Sequence, residues 1–492
     1  MEPTRTRYPG AHPFADDALS RAVFFGREKE ATALMDQIVA NRLVVVYAKS
    51  GLGKTSLLHA GLCQPLRDDG FLPLVVRVND IKQGPVRSLY DGVRTASEHQ
   101  HIEYQAGSEL SLWHFFKTVE FWRGDLLLTP VLILDQFEEL FTLHSVEARA
   151  GFLAELGCLV RGVRPETDPA TEAGLDDLTD SPPKLRIALS LREDYLALLE
   201  EAADNIPQIL DHRFRLTPLG LDAAAAAMVG PSQVRDGRLA TRPFAYDPET
   251  VQGILEYLSR RLKTGAVSSA KFVEPFHLQL ICQRVEALVA ERQLQTETIQ
   301  LITLNDLGGE KGLRTTLLDF YNSVLGAIAR KSTRKKVRRL CEQYLISPDG
   351  RRLSLEEEEI GRLLGIEPAG LKWLVKRRLL RCDQRADSWY YELSHDSLVE
   401  PILAARKTQR VFLEGPGLLG AMLWVLLGFG GALGGVLAAV IFILGNMALV
   451  DVIYGEILSG AFICASIIII DMGIAALRRS ADLLGRYMKR LD

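Results

Sequence analysis

Leu43-Val44-Val45-Val46-Tyr47-Ala48-Lys49-Ser50-Gly51-Leu52-Gly53-Lys54-Thr55-Ser56-Leu57-Leu58 is the stretch that decides the fold. Its first six residues are apolar or β-branched without the alternation of a half-exposed strand, which reads as a strand covered on both faces. Its last residues open a helix. Between them Gly51 and Gly53 let the backbone curl until its N–H groups converge on an anion at the positive end of that helix. Lys54 then reaches the β and γ phosphates of a nucleotide and Thr55 ligates Mg²⁺, with Ser50, Gly51, Leu52, Gly53 and Ser56 completing the cradle. Ala48 stands at the first position, where many such loops have glycine.

Working outward, Leu72 to Val78, Val131 to Asp135, Leu185 to Leu191 and Arg213 to Leu219 are further short apolar runs bounded by turn or helix signals. Strands of this kind separated by helices make a parallel sheet with helices on both faces, an α/β P-loop fold. In Val131-Leu132-Ile133-Leu134-Asp135-Gln136-Phe137-Glu138-Glu139 the strand ends in carboxylates. Beside the phosphate loop, Asp135 would hold Mg²⁺ through water, and Glu138 or Glu139 would orient or deprotonate the attacking water. Leu191-Arg192-Glu193-Asp194 closes another strand, where Arg192 either senses the γ-phosphate or pairs with an acidic neighbour.

Around this core the 492 residues divide into an N-terminal lead (1–42), a P-loop ATPase domain (43–220) with an acidic solvated insertion (164–183), a helical domain (221–339) and a winged-helix-like domain (340–405). Two transmembrane helices (415–477) and a basic cytoplasmic tail (478–492) follow. The 58 Lys+Arg against 62 Asp+Glu leave a net charge of -4, which gives no global electrostatic case for nucleic acid as a partner. The basic run Arg330 to Arg339 reads as a solvated helix face. The six cysteines show no zinc-site spacing and read as reduced thiols. From Gly415 to Val450 there is no charged side chain, more than the ~20 apolar residues that cross a bilayer. A second span runs from about Ile457 to Leu477. Arg406, Lys407 and Arg410 precede the first span and Arg478, Arg479 and Arg486 follow the second, so both termini face the cytoplasm.

The chain resembles the STAND class of P-loop NTPases, and within it the novel STAND NTPase 1 branch. The resemblance is carried by Tyr8-Pro9-Gly10 with Pro13-Phe14, by Phe24-Phe25-Gly26-Arg27-Glu28, by the phosphate loop and by Leu134-Asp135-Gln136-Phe137-Glu138-Glu139-Leu140-Phe141. It continues in Leu191-Arg192-Glu193-Asp194, Arg213-Phe214-Arg215-Leu216-Thr217-Pro218-Leu219, Glu274-Pro275 with Leu278-Gln279-Leu280, and Ser394-His395-Asp396-Ser397-Leu398. The resemblance implies a switch in which sheet, helical domain and winged helix clamp ADP in an inactive monomer, and exchange for ATP drives homo-oligomerisation. It implies Gly26 and Arg27 beside the adenine, Pro275 against the base, His395 on the β-phosphate of ADP, and Arg192 as the γ-phosphate sensor. Slow turnover, a sensor or trigger in trans, and bacterial antiviral defence at the inner membrane are further implications. Two departures stand out: Glu274 precedes Pro275 with no glycine two before it, and the usual sensor repeats are replaced by the apolar end. The rival functions are a membrane-tethered ATPase that remodels a partner by continuous hydrolysis, a non-enzymatic nucleotide-binding scaffold, and a winged-helix transcription regulator.

Overall fold

A computed structural model describes residues 5–105, 107–165, 179, 181–261, 271–295, 299–385 and 388–414, and the chain divides into two units, Met1–Leu403 and Ala404–Asp492. In the first unit five parallel strands, β1 (Leu43–Ala48), β2 (Phe71–Val76), β3 (Thr129–Asp135), β4 (Arg186–Arg192) and β5 (Arg213–Arg215), stand in the order β2-β3-β4-β1-β5. Successive side chains go to opposite faces. Val44, Val46 and Ala48 join one core with Val131, Ile133 and Ala188, while Leu43 and Val45 join the other with Leu132, Leu134 and Ile187. Because both faces are buried, the strands need no polar positions, which is why their sequences do not alternate.

The first face is covered by α1 (Glu28–Ala40), through Leu34 and Ile38, and by the helical stretch over residues 54–68 (α2), through Leu57, Leu58, Leu62 and Leu66. On the second lie α3 (Gly84–His99), the short α4 (Glu138–Leu143) and α5 (Val146–Arg161), which contribute Leu89, Val93, Leu140, Phe152 and Leu156. The run Arg213 to Leu219 is a strand only as far as Arg215. Leu216 still donates its N–H to Tyr47 at 2.9 Å, but Pro218 has no N–H to continue the ladder, and Leu219–Gly220 pairs instead, antiparallel, with Phe272–Val273.

Next come α6 (Leu221–Gln233), α7 (Pro248–Arg261), α8 (Pro275–Gln293) and α9 (Gly309–Gly326), with a shared core that includes Met228, Ile254, Ile281 and Leu313. The lead is sewn into this group. Arg7 is wholly buried and donates to Thr241 Oγ1 (2.9 Å), Pro231 O (2.7 Å) and Val234 O (2.8 Å), while the N–H groups of Arg7 and Tyr8 donate to the Glu286 carboxylate at 2.8 and 3.2 Å.

The last group is α10 (Lys331–Arg339), β6 (Leu355–Glu356), α11 (Glu357–Leu364), α12 (Pro368–Lys376), β7 (Leu380–Arg385) and β8 (Ser388–Leu393), an antiparallel sheet with β8 in the middle. Val337, Ile360, Leu371, Leu380 and Tyr391 meet in its core. The basic face of α10 is turned outward around Val337, and Lys336 donates to Gly365 O at 2.9 Å. From this group leads α13 (Val399–Glu414), of which residues 404–414 are the described part of the second unit. Most of the acidic stretch 164–183, both apolar spans of 415–477 and the tail 478–492 lie outside the described residues. Among the described residues no helix is long and apolar enough to cross a membrane.

Candidate functional site

Strand register builds the floor of the site. Ala48 lies opposite Arg192 and Asp135 opposite Ser190, so the carboxyl ends of β1, β4 and β3 open side by side. That edge of a parallel sheet is where ligands are received. Gly51 and Gly53 hold φ of +80° and +89°, values a side chain rarely tolerates, and only through them can the chain turn from β1 into α2. The first N–H groups of α2 have no partner within the helix and point into the turn. Lys54 Nζ donates to Ala48 O at 3.3 Å. Burial pushes its ammonium down, while Glu138 and Asp135 pull it back up.

Thr55 Oγ1 donates to Asp135 Oδ2 at 3.1 Å, Ser190 Oγ donates to Oδ1 at 2.9 Å, and Arg77 stands 3.5 Å from Oδ2. A hydroxyl and a carboxylate side by side at the head of a phosphate-loop helix form the oxygen donor set that suits Mg²⁺, so Thr55 and Asp135 fit that ion. Gln136 takes a left-handed φ of +57° and turns the chain from β3 into α4. Glu138, the first residue of α4, is 8% exposed and accepts the Arg192 N–H at 3.2 Å. Burial pushes its carboxyl above the ordinary range against the pull of Lys54. Glu139 is half-buried and donates its N–H to Gln136 O at 2.8 Å. Glu138 lies within electrostatic reach of both Lys54 and Arg192.

The roof comes from distant sequence. His395, just after β8, packs so tightly on the phosphate loop that a Cβ on Gly51 would lie 2.2 Å from its Cδ2 and 2.3 Å from its Nε2. The Ser397 N–H donates to His395 Nδ1 at 3.1 Å and the Ser397 hydroxyl lies 2.8 Å from the same nitrogen, which leaves Nε2 against the loop. Phe276 stacks on the imidazole with centroids 4.6 Å apart and planes 10° from parallel. Pro275 supplies the first residue of α8, where its missing N–H costs nothing, and so sits one residue from that stack.

Gly26 abuts α6: a Cβ there would lie 2.2 Å from Ala223 O. Arg27, 5% exposed, donates to Leu52 O at 3.2 Å and Thr217 O at 2.8 Å, and pairs with Glu30. It therefore braces the phosphate loop, its guanidinium committed to backbone oxygens of the ATPase domain. Ser56 Oγ accepts the Phe14 N–H at 3.2 Å, tying the lead to the same loop. Arg192 is paired with Asp194, lies 5.0 Å over the Tyr195 ring, and brings Nη1 to 4.0 Å from Glu392. Sequence reasoning missed Phe276, Arg77, Arg381 and Glu392. None stands in a local motif, and only the alternation along β7 and β8 marks the side on which Arg381 and Glu392 fall.

The family model described as Novel STAND NTPase 1 matches residues 8–401, and the chain belongs to that family of nucleotide-binding NTPases. Among solved structures it is similar to the ORC2 protein of Aeropyrum pernix in its ADP form, at 12% identity over 78% of this chain and 95% of that one, with a TM-score of 0.38. A Walker-type ATPase of Pyrococcus abyssi is similar at 12% identity over 80% of this chain and 98% of that one, also with a TM-score of 0.38. No curated protein matches the chain in sequence.

Proposed function

With that membership as premise, we propose that the chain is an ATP-hydrolysing switch: ADP holds the roof down on the floor, and exchange for ATP releases it and lets copies of the chain assemble. Lys54 and the loop N–H groups bind the phosphates, and Thr55 with Asp135 holds Mg²⁺, whose charge offsets that of the phosphate oxygens. Glu138 takes the proton of the attacking water. Burial raises that carboxyl above its ordinary range, which makes it a stronger base, and turnover is slow because it serves the switch. His395 donates Nε2–H to the terminal phosphate of ADP, a contact available only while the roof is closed.

The group from α10 to β8 is read as a winged helix because its order is helix, strand, helix, helix, strand, strand. The apolar spans of 415–477 anchor the chain in the bacterial inner membrane with both termini cytoplasmic, and the assembled switch acts on them as an effector, in antiviral defence. The observation that carries this reading is the seating of His395 on Gly51, with Phe276 stacked behind it, because it brings a residue from the far end of the chain onto the phosphate loop. Its test is His395→Ala in the full-length protein in detergent, followed by mass photometry and ADP dissociation. Spontaneous oligomers and faster ADP loss are expected, by about tenfold for one hydrogen bond to a charged group. A monomer that keeps ADP as long as wild type would sink the proposal.

A further inference from the structure

We propose that Arg381 is a second phosphate ligand of the roof, delivered to the loop by β7 and held in place by Glu392. The inference rests on the reading above that a nucleoside diphosphate lies in the phosphate loop, and it names a residue outside every motif of the sequence. In the β7–β8 ladder Arg381 lies directly opposite Glu392. Leu380, its neighbour, points into the core of the C-terminal group at 1% exposure, so strand alternation turns Arg381 to the other side. There its Nη1 is 3.5 Å from Ser50 Oγ, at the start of the phosphate loop and beside the loop residue on which His395 rests.

Charge makes the case stronger. Glu392 Oε1 pairs with Arg381, lies 3.8 Å from Arg352 Nη1 and 4.0 Å from Arg192 Nη1, and its side chain is only 12% exposed. One carboxylate thus faces three guanidiniums in a poorly hydrated place, and Lys54 is close enough to be affected by both Arg381 and Arg192. A planar guanidinium beside a loop of inward-facing N–H groups matches phosphate geometry. His395 approaches the loop at Gly51 and Arg381 at the neighbouring Ser50. The cross-strand pair to Glu392 makes the arginine part of a rigid sheet rather than a free side chain.

The test compares ADP with AMP, which lacks the β-phosphate, on full-length detergent-solubilised protein by equilibrium binding. Arg381→Ala is expected to weaken ADP by about ten- to a hundredfold while AMP stays within about twofold, and Arg381→Lys to recover part of the loss. Unchanged ADP affinity overturns the assignment. Equal weakening of ADP and AMP overturns it too, since that marks a structural role through Glu392. Lys54→Ala, measured in parallel, separates the layers: if it binds ADP like wild type, the nucleotide reading itself falls, whereas loss of ADP there with an unaffected Arg381→Ala removes only this inference.

Discussion

The floor and the roof of the phosphate site are built in opposite ways. The floor is contiguous: residues 48–56 and 135–139 sit at adjacent strand ends, locked by parallel register and by cores on both faces of the sheet. The roof brings single residues from separate elements to the loop: His395, backed by the stacked Phe276 ring, closes on Gly51, Arg381 reaches Ser50, and Glu392 lies 4.0 Å from Arg192. Burial of many apolar side chains contributes far more than a handful of polar contacts. In the proposed switch the floor is therefore the part that persists and the roof the part that a change of nucleotide lifts.

The largest effect expected from breaking this contrast is on the floor. Lys54→Ala removes the loop's own cation against the phosphates, and the purified protein should retain no nucleotide, so turnover falls to background. Nucleotide content after denaturation checks it. Next comes Glu138→Gln, expected to keep ATP binding but lower kcat by roughly a hundred- to ten-thousandfold. The same variant carries a pH signature. Burial raises the Glu138 carboxyl above its ordinary 4.5, so its favourable contribution is complete below that value and is lost as pH rises through the raised pKa. Wild type should therefore melt below Glu138→Gln at pH 7 to 8, with the gap closing near pH 4. A gap that widens toward acid would contradict the buried placement. The smallest effect belongs to the roof: Phe276→Ala removes a ring stack of about 0.5–1.5 kcal/mol and should raise ADP dissociation by about two- to tenfold without altering kcat.

Legibility in the sequence follows the same divide. The phosphate loop and Asp135 could be found because their chemistry demands fixed residue types at fixed spacing, and unalternated runs marked four strands to within about two residues at either end. The fifth run misled because apolarity alone does not reveal that Pro218 ends one ladder and Leu219 starts another. His395 stood out only through family resemblance, since a lone histidine after a strand has no spacing to test. Phe276, Arg381 and Glu392 were invisible for a physical reason: each is one residue on its own element, and tertiary packing alone sets what it meets. Glu138 and Glu139 were equivalent in sequence. The left-handed turn at Gln136 and the start of α4 separate them by burial.

The buried seat of Arg7 has a consequence for how the molecule comes into being. Its partner Glu286 is 279 residues downstream, an interval of roughly 15 to 60 s at ordinary rates of synthesis. Through that interval the N-terminal strap waits, and by its end the strands of the phosphate-binding sheet, from Leu43 to Arg215, have been made. Phe276 appears shortly before Glu286, and Arg381, Glu392 and His395 appear last. The floor is therefore made before the roof, and the roof can close only after His395 has emerged.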